Sequence, residues 1–164
     1  MKRVYTSSEW PALSQQCTQW KKNGDTLVFT NGCFDGLHPG HRALLAFARE
    51  QGKRLIVALN DDAGVRKLKG ADRPRNPETQ RAEAVLLDSA ADAVVMFGDP
   101  TPDRIIRLLR PDCLIKGDDY DPETIVGADF VRDYGGRVLI FPRLAGYSST
   151  GLYAEKNQKT LKQK

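Results

Sequence analysis

The sequence predicts a single doubly wound α/β domain, Rossmann-like, built on a five-stranded parallel sheet. Three observations carry that expectation. Short runs such as Arg54–Leu59 and Ala93–Phe97 are apolar throughout instead of alternating, as strands buried on both faces are. Segments of helical character separate them, the order of a parallel sheet covered on both sides. The 164 residues contain no internal repeat and no linker, which suits one domain with one substantial core.

The elements follow in order. Trp10, Leu13, Cys17 and Trp20 recur at helical spacing over Ser8–Lys22, with Ser8 as the cap. Asn23-Gly24-Asp25 ends this segment, so residues 8–23 form an N-terminal helix packed on the domain. Thr26–Thr30 is the first strand and runs into a glycine-rich loop. Gly40–Gln51 is a helix carrying Leu44, Leu45 and Phe47, with Gly52 at its end. Arg54–Leu59 is the second strand, and the polar stretch Asn60–Asn76 reads as a loop. Proline at the favoured first turn opens a helix over Pro77–Ser89. Ala93–Phe97 is the third strand, Pro102–Leu109 a helix and Cys113–Lys116 the fourth strand. Glu123–Tyr134 then gives a helix and Arg137–Phe141 the fifth strand.

Composition excludes several classes of function. The net charge of +4 is accounted for by Lys156, Lys159, Lys162 and Lys164, so the basic character belongs to a tail at residues 156–164 on a neutral body at residues 1–155. That is not the broad basic patch of a nucleic-acid binder. No apolar run approaches the roughly 18 residues of a membrane span, and Met1–Pro11 lacks a signal-peptide stretch. Cys17, Cys33 and Cys113 are odd in number and scattered, which fits reduced thiols in a cytoplasmic protein.

Doubly wound sheets bind ligands outside the carboxyl ends of their strands, where strand order reverses. That rule selects Asn31–Pro39, Asn60–Lys69 and Gly117–Tyr120. The first of these holds the densest chemistry. Thr30-Asn31-Gly32-Cys33-Phe34-Asp35-Gly36-Leu37-His38-Pro39-Gly40-His41 lacks both GxGxxG and GxxxxGK[ST]. It nevertheless feeds glycines into a helix start, whose N–H groups and positive dipole end form an anion site suited to a triphosphate. His38 and His41 are the only histidines, three residues apart, and project from one helix face. Two imidazoles beside a phosphate donate to oxygens that gain charge as phosphorus is attacked. The alternatives are capping or surface histidines, and a zinc site made with Cys33 and Asp35.

Asn31-Gly32-Cys33-Phe34-Asp35 followed by His38-Pro39-Gly40-His41 resembles the HxGH nucleotidyltransferase superfamily, in its cytidylyltransferase-like branch. The resemblance continues in order through Asn60-Asp61-Asp62, Val65–Gly70, Arg73-Pro74, Asn76-Pro77 and Arg81. Lys116-Gly117-Asp118-Asp119-Tyr120, Val126-Gly127-Ala128, Tyr134-Gly135-Gly136 and Gly146–Gly151 complete it. This series is similar to the adenylyltransferases of bacterial ADP-heptose synthesis, which make a lipopolysaccharide precursor and occur alone or fused to a sugar kinase.

The resemblance implies transfer of AMP from ATP to heptose 1-phosphate, with pyrophosphate released, by a nucleotidyltransferase domain at residues 1–155. It implies a homodimer, a functional partnership with a separate sugar kinase, and Mg²⁺ held mainly by the ATP phosphates without a protein metal site. His38, His41 and Lys69 take the catalytic positions. Thr30, Asn31, Gly32, Cys33, Phe34, Gly40, Asn60, Lys116, Gly117, Asp118, Asp119, Tyr147, Ser148, Ser149 and Thr150 take those that bind nucleotide. Asp35, Arg66 and Arg81 take acceptor positions, with a supporting role behind the site or a surface ion pair as the alternatives for Arg81 and a solvated charge run as that for Arg66, Lys67 and Lys69. Cys33 reads as packing in a tight loop.

Two departures stand out. Heptose enzymes carry two glycines before the aspartate of the fourth-strand motif, whereas Gly117-Asp118-Asp119 is similar to the glycerol-3-phosphate cytidylyltransferases. A cation follows the Tyr147–Thr150 motif about a turn later in the superfamily, whereas this chain has Gly151-Leu152-Tyr153-Ala154 and reaches a cation only at Lys156. Cytidylyl transfer to a phosphorylated polyol, and a nucleotide-binding module with impaired catalysis, are therefore the competing readings.

Overall fold

The computed structural model describes residues 3–118 and 121–142. Their strands form one parallel sheet: β1 (Arg3–Tyr5), β2 (Leu27–Gly32), β3 (Arg54–Asn60), β4 (Ala93–Phe97), β5 (Cys113–Gly117) and β6 (Arg137–Phe141), in the order β1-β4-β3-β2-β5-β6. The helices are α1 (Trp10–Lys22), α2 (Pro39–Glu50), α3 (Asp62–Lys69), α4 (Glu78–Asp88), α5 (Asp103–Leu109) and α6 (Ala128–Asp133).

The doubly wound class holds, and the strand count is corrected from five to six. β1 pairs with β4 through Arg3–Ala93, Val4–Val94 and Tyr5–Val95. Three residues with an exposed arginine carry no readable periodicity, and only Tyr5 is buried. The polar stretch after the second strand is also corrected. Its first half is α3, capped where the Asp61 carboxylate accepts from the Gly64 N–H at 2.7 Å and stopped at Gly70 with φ 107°. The helix expected over Glu123–Tyr134 divides into a 3-10 turn at Pro122–Thr124 and α6. Ile125 is extended and Gly127 left-handed (φ 82°), which interrupts the helical path.

Alternate residues of each strand enter opposite layers, because a strand's side chains point to the two faces in turn. Leu27, Phe29, Ile56, Ala58, Val95 and Leu114 meet Trp10, Leu13, Trp20, Ile105, Ile106 and Val131 on the face covered by α1, α5 and α6. Val28, Leu55, Val57, Leu59, Val94 and Ile115 meet Leu45, Ala48, Ala82 and Val85 on the face covered by α2 and α4. Trp10 buries its indole and donates Nε1–H to the Met96 carbonyl at 2.9 Å, tying α1 to β4. β2 has β3 on one side and β5 on the other, so strand order reverses between β2 and β5. Their carboxyl ends frame the site.

Candidate active site

A cleft of about 220 Å³ opens at that reversal, lined by Asn31, Gly32, Cys33, Phe34, His41, Leu44, Lys69, Lys116 and Gly117. Four separate stretches of chain contribute: the end of β2 with its loop, the first two turns of α2, the last turn of α3 and the end of β5. Lys69, Lys116 and His41 face this space, and no carboxylate lines it among the described residues. The arrangement suits a polyanion.

His38 caps α2. Its Nδ1 accepts from the His41 N–H at 3.2 Å, which leaves the ring proton on Nε2 and available for donation. The two imidazoles stack with centroids 3.6 Å apart and an interplanar angle of 22°. Phe34 packs against His41 in an edge-to-face arrangement, with ring centroids 5.1 Å apart. Phe34 is buried with φ 48°, a conformation that costs energy in a bulky residue and is held by its surroundings. Gly32 makes this possible, since a Cβ there would meet the Phe34 ring at 3.0 Å.

The remaining residues expected in the site divide sharply. Thr30 is fully buried and donates its hydroxyl to the Ile115 carbonyl at 2.9 Å, joining β2 to β5 beneath the cleft. Asn60 is buried, and its Oδ1 receives the Cys33 thiol at 3.6 Å. Burial raises the Cys33 pKa despite the nearby Lys69 and Arg81, so the thiol stays protonated and packs. Lys116 is buried at the end of β5 with Gly117 beside it, while Asp118 is exposed. Gly40 lies in the first turn of α2. Asp119 and Tyr147, Ser148, Ser149 and Thr150 lie outside the described residues.

The acceptor candidates Asp35, Arg66 and Arg81 lie outside the lining of this cleft. The Asp35 side chain is fully enclosed and turned away from the cleft. Its carboxylate accepts from Arg73 Nε at 2.8 Å, the Arg75 N–H at 2.8 Å and the Asn76 N–H at 3.0 Å. Burial alone would raise its pKa; these donors overcome that and hold it at about 2. Arg81 is 1% exposed and is not among the residues that line this cleft; it pairs with Asp62 at 2.9 Å. Arg66 is exposed on α3, outside the residues that line the cleft. The zinc arrangement does not assemble either: Cys33 points to Asn60 and Asp35 to Arg73, and no metal-holding cluster of His, Cys, Asp and Glu occurs among the described residues.

Sequence reasoning missed Leu44 as a wall of the cleft, and it missed the Arg73–Asn76 segment as the partner of Asp35. Only helical periodicity pointed to the first. Nothing local pointed to the second, which is a contact between residues about forty apart.

Residues 29–149 match the cytidylyltransferase-like family model. The chain is 54% identical over 137 residues to the bifunctional protein HldE of Gluconacetobacter diazotrophicus, covering 84% of this chain and 28% of that one. It is 51% identical over 138 residues to the protein of that name from Caulobacter sp. strain K31, again covering 84% and 28%. The chain thus spans just over a quarter of the length of these relatives. The crystal structure of a lipopolysaccharide core biosynthesis protein from Thermoplasma volcanium shares the fold, with a TM-score of 0.61 at 23% identity over 76% of this chain and 99% of that one. No helix among the described residues is long and apolar enough to cross a membrane. With the family match running from within β2 through β6, over the whole cleft described above, the chain belongs to the cytidylyltransferase-like family.

Proposed function

We propose that the protein transfers AMP from ATP to a sugar 1-phosphate, heptose 1-phosphate, releasing pyrophosphate and forming ADP-heptose. The observation that carries this reading is the convergence of His41, Lys69 and Lys116 on one cleft at the strand reversal, with His38 stacked beside His41. The likeness to the bifunctional relatives supports it, since the chain corresponds to one part of a longer protein with more than one activity. A sugar kinase would supply the 1-phosphate.

The chemistry needs positioning more than proton transfer. A phosphate monoester has a second pKa of about 6 and is mostly dianionic at neutral pH, so it attacks without a general base. One of its oxygens forms a bond to the α-phosphorus of ATP. The bond from that phosphorus to the bridging oxygen breaks, and pyrophosphate leaves with the electron pair. His38, through Nε2–H, and His41 contact the transferring phosphate. Lys69 and Lys116 hold the polyphosphate, and the N-terminus of α2 adds its dipole. Mg²⁺, which would be held mainly by the ATP phosphates and water, would neutralise part of the triphosphate charge. The hydroxyls of Tyr147–Thr150 complete the phosphate contacts in this reading. ATP as substrate and three free thiols suit a cytoplasmic location, and a homodimer suits the family.

The test is pyrophosphate release with ATP, CTP, GTP and UTP, each paired with heptose 1-phosphate and glycerol 3-phosphate. Turnover with ATP and the heptose alone is expected. Turnover with CTP and glycerol 3-phosphate instead would overturn the substrates and keep the mechanism. No turnover with any pair, with ATP still bound, would favour a binding module.

A further inference from the structure

Arg81 is among the most deeply buried side chains of the described residues, and among these its guanidinium is balanced by a single carboxylate. It donates from Nη1 to the carbonyls of Cys33 at 2.7 Å and Asn60 at 2.9 Å. Nε donates to the Asn76 carbonyl at 3.0 Å, and Nη2 to Asp62 Oδ1 at 2.9 Å. A buried ion is costly where only volume must be filled, and an apolar side chain of similar length fills space with less penalty. What an apolar chain cannot do is fix several acceptors in one plane.

Those acceptors belong to the parts that must agree for the cleft to work. Cys33 lies in the loop that leads from β2 to the stacked histidines, and Asn60 ends β3. Asp62 opens α3, whose last turn carries Lys69. Asn76 lies in the segment that holds Asp35, and through it the other side of the same loop. One planar fork therefore sets the histidine wall and the Lys69 wall relative to each other. We propose that Arg81 is a positioning residue for nucleotidyl transfer, acting through the backbone of the β2–α2 loop and the start of α3 without touching substrate. Its kinetic consequence rests on the nucleotidyl-transfer reading; its mechanical one does not.

Arg81→Lys tests this, since lysine keeps the charge and loses the planar fork. Hydrogen exchange is expected to quicken in residues 31–38 and 60–69 and to stay unchanged in the cores of β3 and β4. In the same variant kcat should fall about a hundredfold, the scale of a misplacement near 1 Å, with KM for ATP changed less than about threefold. Wild-type kcat, or a loss of kcat with wild-type exchange in residues 31–38, would overturn the proposal; the latter would point to a purely electrostatic role. Asp62→Ala serves if the lysine variant does not fold. Asp62 is 30% exposed, and its loss releases one of four anchors. The same exchange pattern with a loss of about tenfold in kcat is expected, and wild-type values in both would overturn the idea. If the wild-type enzyme turns over no substrate pair, the nucleotidyl-transfer reading fails, and exchange alone decides the role of Arg81.

Discussion

The two ends of the parallel sheet treat charge in opposite ways. At the amino ends of the strands, acids and bases are matched. Asp25 binds Lys53 at 2.8 Å and Arg54 at 2.7 Å, while Asp92 binds Arg49 at 2.6 Å and Arg54 at 3.2 Å. Asp92 also accepts the Leu55 N–H at 2.9 Å, and Asp112 accepts the Leu27 N–H at 2.8 Å, so carboxylates finish the backbone pairing where strands begin. At the carboxyl ends, Lys69, Lys116 and His41 line a cleft whose lining includes no acid among the described residues, and the carboxylates of Asp35 and Asp62 are paired with Arg73 and Arg81. Neutralised charge at one end serves stability. At the other end basic side chains converge on a cleft that suits a ligand of negative charge.

The largest effect that would break this contrast is expected at the histidines. His38→Asn keeps an N-cap oxygen for α2 and removes the imidazole donor. Turnover should drop by about a hundredfold or more, as when a single donor to developing charge is removed, with a melting midpoint close to that of the wild type. A variant with wild-type turnover would reduce His38 to its capping role. His41→Asn should lose turnover on the same scale. Lys69→Met comes next. The residue is exposed, so stability should stay within about 0.5 kcal/mol of wild type. A fall in turnover of about tenfold to a hundredfold should accompany it, read from pyrophosphate release at saturating ATP. Unchanged kinetics would make the α3 cations a solvated face after all.

How much of this was legible in the sequence depends on the range of the signal. Ala93–Phe97 and Arg137–Phe141 were read to the residue, because both are apolar runs between clear breaks. The His38–His41 pair stood out by its spacing at a helix start and the strand-reversal rule picked the loops around it, but Lys69 was singled out only by the family resemblance. β1 was missed because three residues are too few to show a period. α3 was missed although Asp61 and Gly70 are ordinary start and stop signals; Gly64 and a run of exposed cations obscured them. The hydrogen-bond partners of Arg81 and Asp35 were not legible, for another reason. A charged side chain near a motif reads as a ligand group, and only long-range contacts reveal that it is spent on carbonyls or backbone N–H groups.

The smallest effect on turnover, and the sharpest test of the contrast, belongs to Asp92. β2 spans six residues, about 20 Å at the usual strand rise, so the Asp25–Asp92 cluster lies far from the cleft. Asp92→Asn should leave kcat and KM unchanged at neutral pH. It should lower unfolding free energy by about 1.5–3 kcal/mol, the range for hydrogen bonds to a charged group. The pH dependence fixes the sign. Burial alone would raise the Asp92 pKa, but the Leu55 N–H, Arg49 and Arg54 bring it below the usual value, and bonds from Lys53 and Arg54 lower that of Asp25. An unfolded aspartate titrates near 3.9, so the unfolded chain takes up protons first as the solution is acidified. The stabilisation is complete above about pH 5 and is lost as pH falls through 4 toward the lower native values. Urea unfolding at pH 7, 5, 4 and 3 should give a steep acid limb for the wild type and a shallower one for Asp92→Asn. Parallel limbs would mean that Asp92 adds no pH-dependent stability, and the amino end would then owe its strength to packing instead of matched charge.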